Sequence, residues 1–283
     1  MAYYRLLITC PDQRGIVAAI SARLYRNGAN IIDAAQHTTN PDGGAFFMRL
    51  EYQLSDPDNQ EAIEHALTDE LSERFNIQFR FADRDKAKRI SVLVSRHDHC
   101  LLDLLWRWGR REFEADIVHV ISNHPDLQHE VERFNLPYIH IPVSAATKPQ
   151  AEARILELTQ DRVDVIVLAR YMQILSSEFL GTVGVPIINI HHSFLPAFVG
   201  RNPYQRALER GVKIIGATAH YVTDELDEGP IIDQDVARVS HRDGLREMER
   251  IGRDVERTVL ARALRWHLDD RVIVYQNKTF VFH

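Results

Sequence analysis

The chain has 283 residues, 45% of them hydrophobic and 26% charged, with a net charge of −6. That length asks for two domains, and the acidic balance argues against a nucleic-acid partner. Two cysteines, Cys10 and Cys100, exclude a disulfide framework, and no run approaches the roughly 18 apolar residues of a membrane span, so a cytoplasmic globular protein is expected.

Tyr4–Thr9 reads as a strand, closed by Pro11-Asp-Gln-Arg-Gly15. A helix follows from Ile16 to Asn27, with Ile16, Ile20 and Leu24 four apart on one face, and Gly28 sits at its stop. Strands Asn30–Thr38 and Ala45–Gln53 flank Asn40-Pro-Asp-Gly-Gly44, which has the turn chemistry of a hairpin. A second helix, Asn59–Asn76, and a strand, Ile77–Ala82, complete a β-α-β-β-α-β order that predicts a ferredoxin-like sandwich. The domain is set at residues 1–83. A solvated charge run over residues 84–89 serves as linker to a second domain over 90–283.

Beyond the linker, strand and helix alternate. Strands are expected at Arg89–Ser95, Asp116–Ser122, Tyr138–Pro142, Val163–Ala169 and Pro186–Asn189, and helices at His99–Glu112, Pro125–Asn135, Lys148–Asp161 and Asn202–Arg210. The nearly unbroken apolar run Val163–Leu168 marks a central parallel strand, so the fold is a Rossmann-like, mostly parallel, doubly wound α/β sheet. Lys213–Thr223 and Pro230–Val239 are further strands around the acidic turn Asp224–Gly229. A helix from Asp243 to Leu268 carries one apolar stripe, Leu245, Met248, Gly252, Val255, Val259 and Ala263, and a hairpin around Asn277-Lys278 ends the chain.

The segment Pro186–Gly200 concentrates the chemistry. Asn189 and His191 are two apart, so on a strand they share a face, and Pro196 and Gly200 then turn the backbone into a loop. An amide donor beside an imidazole suits a carbonyl oxygen that becomes negative during attack. Taken alone the pair also reads as a polar strand end. The second polar cluster, Asp224, Glu225, Asp227 and Glu228, lies between two strands that follow in the same sheet, at the end where open α/β sheets bind ligands. A carboxylate there can order a water and hold a neighbouring imidazolium.

Asn189-Ile-His191, Ser193-Phe-Leu-Pro196, Thr218-Ala-His220 and Asp227-Glu-Gly-Pro-Ile-Ile232 together resemble the folate-dependent formyltransferase family, over roughly residues 88 to 283. The resemblance implies Asn189, His191 and Asp227 as the catalytic residues around the formyl group of 10-formyltetrahydrofolate. It also implies that Leu168–Leu175 lines a folate pocket, through Tyr171, Met172, Ile174 and Leu175, with Thr218 and His220 as further binding or supporting residues. Thr9–Val17 with Asn27–Asp33 resembles an ACT domain, a module that commonly binds amino acids or pairs subunits. The implied regulatory residues are Asp12, Gly15 and Asn30, with a small amino-acid effector and a homo-oligomer, dimer or tetramer. The fusion of the two is similar to the hydrolytic branch of the family, the formyltetrahydrofolate deformylases. In that branch water takes the formyl group, and the formate supplies purine synthesis and balances one-carbon pools.

One physical feature separates hydrolysis from transfer. A transferase acting on glycinamide ribonucleotide needs a phosphate-wrapping loop after its first catalytic-domain strand. Here that stretch is Ser95-Arg-His-Asp-His-Cys-Leu101, which has no glycine and an acidic residue in its middle. The alternatives are such an amine formyltransferase, or a silent amino-acid sensor with the ACT domain as its active part. His97-Asp-His-Cys100 and His191-His192 raise a metal reading, yet no Cys-x-x-Cys or His-Glu-x-x-His spacing occurs, so no metal or cofactor is expected. His97 and His99 read as loop and helix-cap residues, and His192 as loop support.

Overall fold

A computed structural model describes residues 1–196 and 203–283; Gly200, in the expected loop, and Asn202, at an expected helix start, lie outside the described residues. The chain forms two units, Met1–Ala87 with Asp269–Tyr275 and Thr279–His283, and Lys88–Leu268 with Gln276–Lys278.

In the first unit, β1 (Ala2–Pro11), α1 (Ile16–Arg26), β2 (Ala29–Thr38), β3 (Ala45–Leu54), α2 (Asn59–Phe75) and β4 (Gln78–Asp83) follow in the expected order. The strands make an antiparallel sheet ordered β2-β3-β1-β4. Period-two alternation decides its faces. Tyr4, Leu6 and Ile8 of β1 and Met48, Leu50 and Tyr52 of β3 share a core with Ile20 and Leu24 of α1 and Ile63 and Leu67 of α2. Each fully buried Leu or Ile contributes about 1.5–3 kcal/mol relative to exposure, so this unit has a core of its own.

The second unit runs β5 (Lys88–Val94), α3 (His99–Gly109), β6 (Ala115–Ser122), α4 (Gln128–Glu132), β7 (Tyr138–His140), α5 (Lys148–Thr159), β8 (Val165–Leu168), α6 (Ser177–Val183), β9 (Ile187–His191), α7 (Pro203–Arg210), β10 (Ile214–Tyr221), β11 (Ile231–Arg238) and α8 (Leu245–Leu268). Its sheet is ordered β11-β10-β9-β8-β5-β6-β7, parallel from β7 to β9, with β10 and β11 added antiparallel. The strand order reverses between β5 and β8, which makes the carboxyl ends of those strands and of β9 the place for a ligand. Val165, Ile166 and Val167 are fully buried, as the unbroken apolar run required.

Among the helices, α6 and α8 differ from the sequence expectation. The helix α6 was not foreseen, although its start and stop are both in the sequence. The Ser176 hydroxyl accepts from the Phe179 amide at 3.1 Å, and Gly184 takes the left-handed conformation at the end. The stripe on α8 also sits slightly rotated, with Gly252, Glu256, Val259, Leu260 and Ala263 buried and Val255 at its edge. Gly252 is demanded there by Tyr204, because a Cβ at this position would collide with the Tyr204 ring and hydroxyl.

The last hairpin, β12 (Val272–Tyr275) with β13 (Lys278–Val281), is a correction to the expected second domain, because most of it belongs to the first unit. The reason is the second face of the four-stranded sheet. Leu7 and Phe47 point away from the helices and are covered by Ile273 and Phe282, and Phe280 stacks on Phe47 with ring centroids 4.0 Å apart. Arg49, fully buried beneath, donates to the carbonyls of Asp270 at 3.1 Å and Asp269 at 3.2 Å and to the Asp33 carboxylate at 2.9 Å.

Candidate active site

The register of β9 against β10 sets His191 opposite Thr218 and Asn189 opposite His220, so four of the expected residues share one face of an antiparallel pair. The carboxylate arrives from the turn after β10. Asp227 holds a positive φ of 59°, uncommon for a non-glycine residue, and presents Oδ2 at 3.2 Å from His191 Nδ1 and Oδ1 at 3.6 Å from His220 Nε2. Gly229 closes the turn where a Cβ would strike the Tyr221 carbonyl.

The hydrogen-bond roles follow from the acceptors. The Tyr221 carbonyl, 3.0 Å from His220 Nδ1, can only accept, so the hydrogen sits on Nδ1. His220 Nε2 lies between the Asn189 amide nitrogen, at 3.2 Å, and Asp227. His191 donates Nδ1–H to Asp227, while its Nε2 is buried with no hydrogen-bond partner among the described residues. Burial works to raise the Asp227 pKa, but His191 and His220 beside it outweigh that and hold the carboxyl well below the usual range. The site therefore pairs a firmly ionised carboxylate with an imidazole whose second nitrogen is open.

Thr218 has a different duty from the one expected of a binding residue. Fully buried, its hydroxyl donates to the Ser193 carbonyl at 2.9 Å and accepts from the Leu195 amide at 3.0 Å and from Gln234 Nε2 at 2.9 Å. Gln234 also donates to the Leu195 carbonyl at 3.0 Å. This hub fixes the backbone just after His191, and Gln234 is a supporting residue that the sequence motifs do not single out.

The expected folate segment splits in two. Tyr171 and Leu175 are buried in the core beneath the sheet, and burial, with Glu152 second, pushes the Tyr171 hydroxyl up to about 12. Met172 and Ile174 are 52% and 61% exposed and free to meet a ligand. Ser95 holds this stretch in place, donating to Asn123 at 2.7 Å and accepting the Met172 amide at 2.9 Å.

A second polar cluster was not foreseen. Arg170, at a positive φ of 65°, Glu256, Tyr204 and His99 come together beside His192. Glu256 accepts from Tyr204 at 2.6 Å and lies 2.8 Å from His99 Nε2, with Arg170 Nε at 3.4 Å. Burial pushes Glu256 up, but these neighbours bring it to about 2. Burial and then Arg170 push His192 down to about 3, so its ring is neutral at physiological pH. His99, Cys100 and Glu256 have ligand atoms within 4.8 Å of one another, yet the set suits a metal poorly. Both Glu256 oxygens are engaged, a guanidinium stands beside them, and burial raises the Cys100 pKa well above its ordinary value, which keeps it a thiol.

In the first unit, Asp12 and Gly15 line a cavity of about 660 Å³ with Gln36, His37 and Thr38, and Thr38 donates to Asp12 at 2.9 Å. Asn30 is not part of it. It pairs with Gln53 at the opposite end of β2 from Thr38, eight residues and roughly 26 Å away along the strand.

The formyl transferase family matches residues 88–264 and the ACT domain residues 4–64. The chain is 54% identical over 281 residues to a formyltetrahydrofolate deformylase of Mycobacterium tuberculosis, spanning 98% of this chain and 90% of that protein. A crystal structure of a formyltetrahydrofolate deformylase from Pseudomonas syringae superposes with a TM-score of 0.94 at 49% identity, covering 100% of this chain and 95% of that one. Glycinamide ribonucleotide transformylase 1 of Symbiobacterium toebii reaches a TM-score of 0.66 at 28% identity, over 72% of this chain and 97% of that one. The chain belongs to the formyl transferase family and, within it, to the formyltetrahydrofolate deformylases that carry an N-terminal ACT domain.

Proposed function

We propose that the chain hydrolyses 10-formyltetrahydrofolate to tetrahydrofolate and formate, at the carboxyl end of β9. The observation that carries this is His191, buried, tied through Nδ1 to an ionised Asp227 and open at Nε2, with the Asn189 amide on the same strand face. Asn189 donates to the formyl oxygen, and His191, as imidazolium, donates Nε2–H to the oxyanion that forms as water attacks. Asp227 balances that positive charge and orders the water. The water oxygen bonds to the formyl carbon, the C–N10 bond breaks, and the water's proton is carried through the Asp227–His191 pair to N10. Met172 and Ile174 face the folate, while Tyr171 and Leu175 support them from the core. The chemistry needs no metal or cofactor, since every charge that develops meets a side chain.

A small amino acid is the expected effector of the Asp12–Gly15 cavity, and the assembly is a homo-oligomer in the cytoplasm. Both buried cysteines are free, which suits a reducing compartment, and among the described residues no helix is long and apolar enough to cross a membrane. The test is formate release by purified protein, with and without glycinamide ribonucleotide. Equal release in both supports hydrolysis; turnover only with the amine would make the chain a transferase, and none in either would leave the amino-acid-sensing reading.

A further inference from the structure

A cavity of about 460 Å³ lies beside His192, with Arg170, Tyr204 and Glu256 buried in its depth and His97 and Arg253 exposed at its mouth. The reaction assigned to His191 uses none of these side chains. The deep end is short of acceptors. Glu256 is the buried carboxylate there, and its two oxygens are taken by Tyr204 and His99. Arg170 is only 8% exposed, yet among the described residues its Nε and Nη1 make no hydrogen bond, and the nearest approach to Glu256 is 3.4 Å. A guanidinium offers five donors and no acceptor, and native interiors seldom leave such donors unmatched.

The group that would complete this end is a planar oxyanion, because a guanidinium edge matches a carboxylate with two parallel hydrogen bonds. Around it, Arg170 faces the ionised Glu256, and Glu249 and Arg253 also line the cavity. Burial and, after it, Arg170 lower both His97 and His192, the latter to about 3, and Arg170 is the cation in the depth. His192 also connects the cavity to the reaction, its ring centroid lying 5.3 Å from that of His191.

We infer that the deep end of this cavity binds formate, the carboxylate released at His191, through the Arg170 guanidinium. The identity of the anion rests on the hydrolytic reading, whereas the anion site rests on the unmatched donors. A ligand of three heavy atoms binds no tighter than about 0.5 mM, so the site holds formate in the millimolar range.

The experiment is a titration of [13C]formate into the intact, folate-free protein, followed by the formate linewidth and by the imidazole signals of histidine-labelled protein. The expected result is saturation at millimolar formate, a shifted His192 signal and at least tenfold weaker binding in Arg170→Lys, which keeps the charge facing Glu256 but loses the paired donors. No saturation by about 50 mM would overturn the site, as would equal affinity in a folded Arg170→Lys protein. Displacement of formate by lower concentrations of inorganic phosphate would overturn the choice of anion. Should Arg170→Lys not fold, the wild-type His192 signal decides, and an unmoved signal overturns the proposal. Because no folate is present, a chain that binds formate but releases none from formyl-folate sinks the hydrolytic reading and keeps the anion site. One that releases formate and binds none does the reverse.

Discussion

Two carboxylates in the second unit are surrounded by imidazoles, and they are built in opposite ways. Glu256 stands on the regular backbone of α8, with both oxygens held at 2.6 and 2.8 Å by Tyr204 and His99 and a guanidinium close by. Asp227 stands on a turn at a positive φ, facing His191 at 3.2 Å and His220 at 3.6 Å. Both are driven below the ordinary carboxylate range despite burial. A low pKa therefore does not mark the reactive one. What distinguishes Asp227 is its looser contacts, its unfavourable backbone and the open nitrogen of the imidazole it holds. Glu256 organises structure, and Asp227 is placed where a reacting group can still enter.

The sharpest way to break this contrast is to remove each carboxylate. Asp227→Ala is expected to lower formate release about 100- to 10,000-fold while the protein stays folded, measured as single-turnover rate beside circular dichroism. A wild-type rate would take Asp227 out of the mechanism. Asn189→Ala comes next, with about 100- to 1000-fold lost from turnover and little from folate binding. Thr218→Val should act on the scaffold instead. It strands the Ser193 carbonyl and the Leu195 amide and costs about 1–3 kcal/mol in denaturant unfolding.

Glu256 should show itself in acid. Its folded pKa, about 2, lies below the unfolded value, so it contributes stability above roughly pH 4 that is lost as pH falls toward 2. Glu256→Gln is expected to flatten that acid limb in a pH series of urea midpoints, and an unchanged limb would contradict a structural role for the ionised carboxylate. The smallest effect belongs to His192→Asn. With a pKa of about 3, His192 does not titrate between pH 5 and 9, so the shape of the pH–rate profile should not change.

How far the sequence reveals this contrast depends on the range of the interaction. Asn189 and His191 are legible because two-residue spacing on a strand fixes a shared face. Thr218 and His220 follow because a neighbouring strand brings the same period. The core of the first unit is legible for the same reason. Arg170 and Glu256 are not, since each is a charge inside an apolar pattern and their meeting depends on how β8, α3 and α8 pack. The one clue was a carboxylate four residues after Gly252, on the stripe that packs inward. Asn30 stands apart from Asp12 and Gly15. Motif resemblance groups it with Asp12, but a ten-residue strand carries it to the far end of the sheet. Tyr171 and Leu175 show the limit of a motif too, because the motif names a segment without separating its inward side chains from its outward ones.

The central claim is that water takes the formyl group at His191 and Asp227. Single turnover of 10-formyltetrahydrofolate in 18O-enriched water tests it directly. The expected product is formate carrying one oxygen from the solvent, formed without any amine and slowed in step with Asp227→Ala. Tetrahydrofolate appearing only when an amine is added, with no labelled formate, would contradict the account.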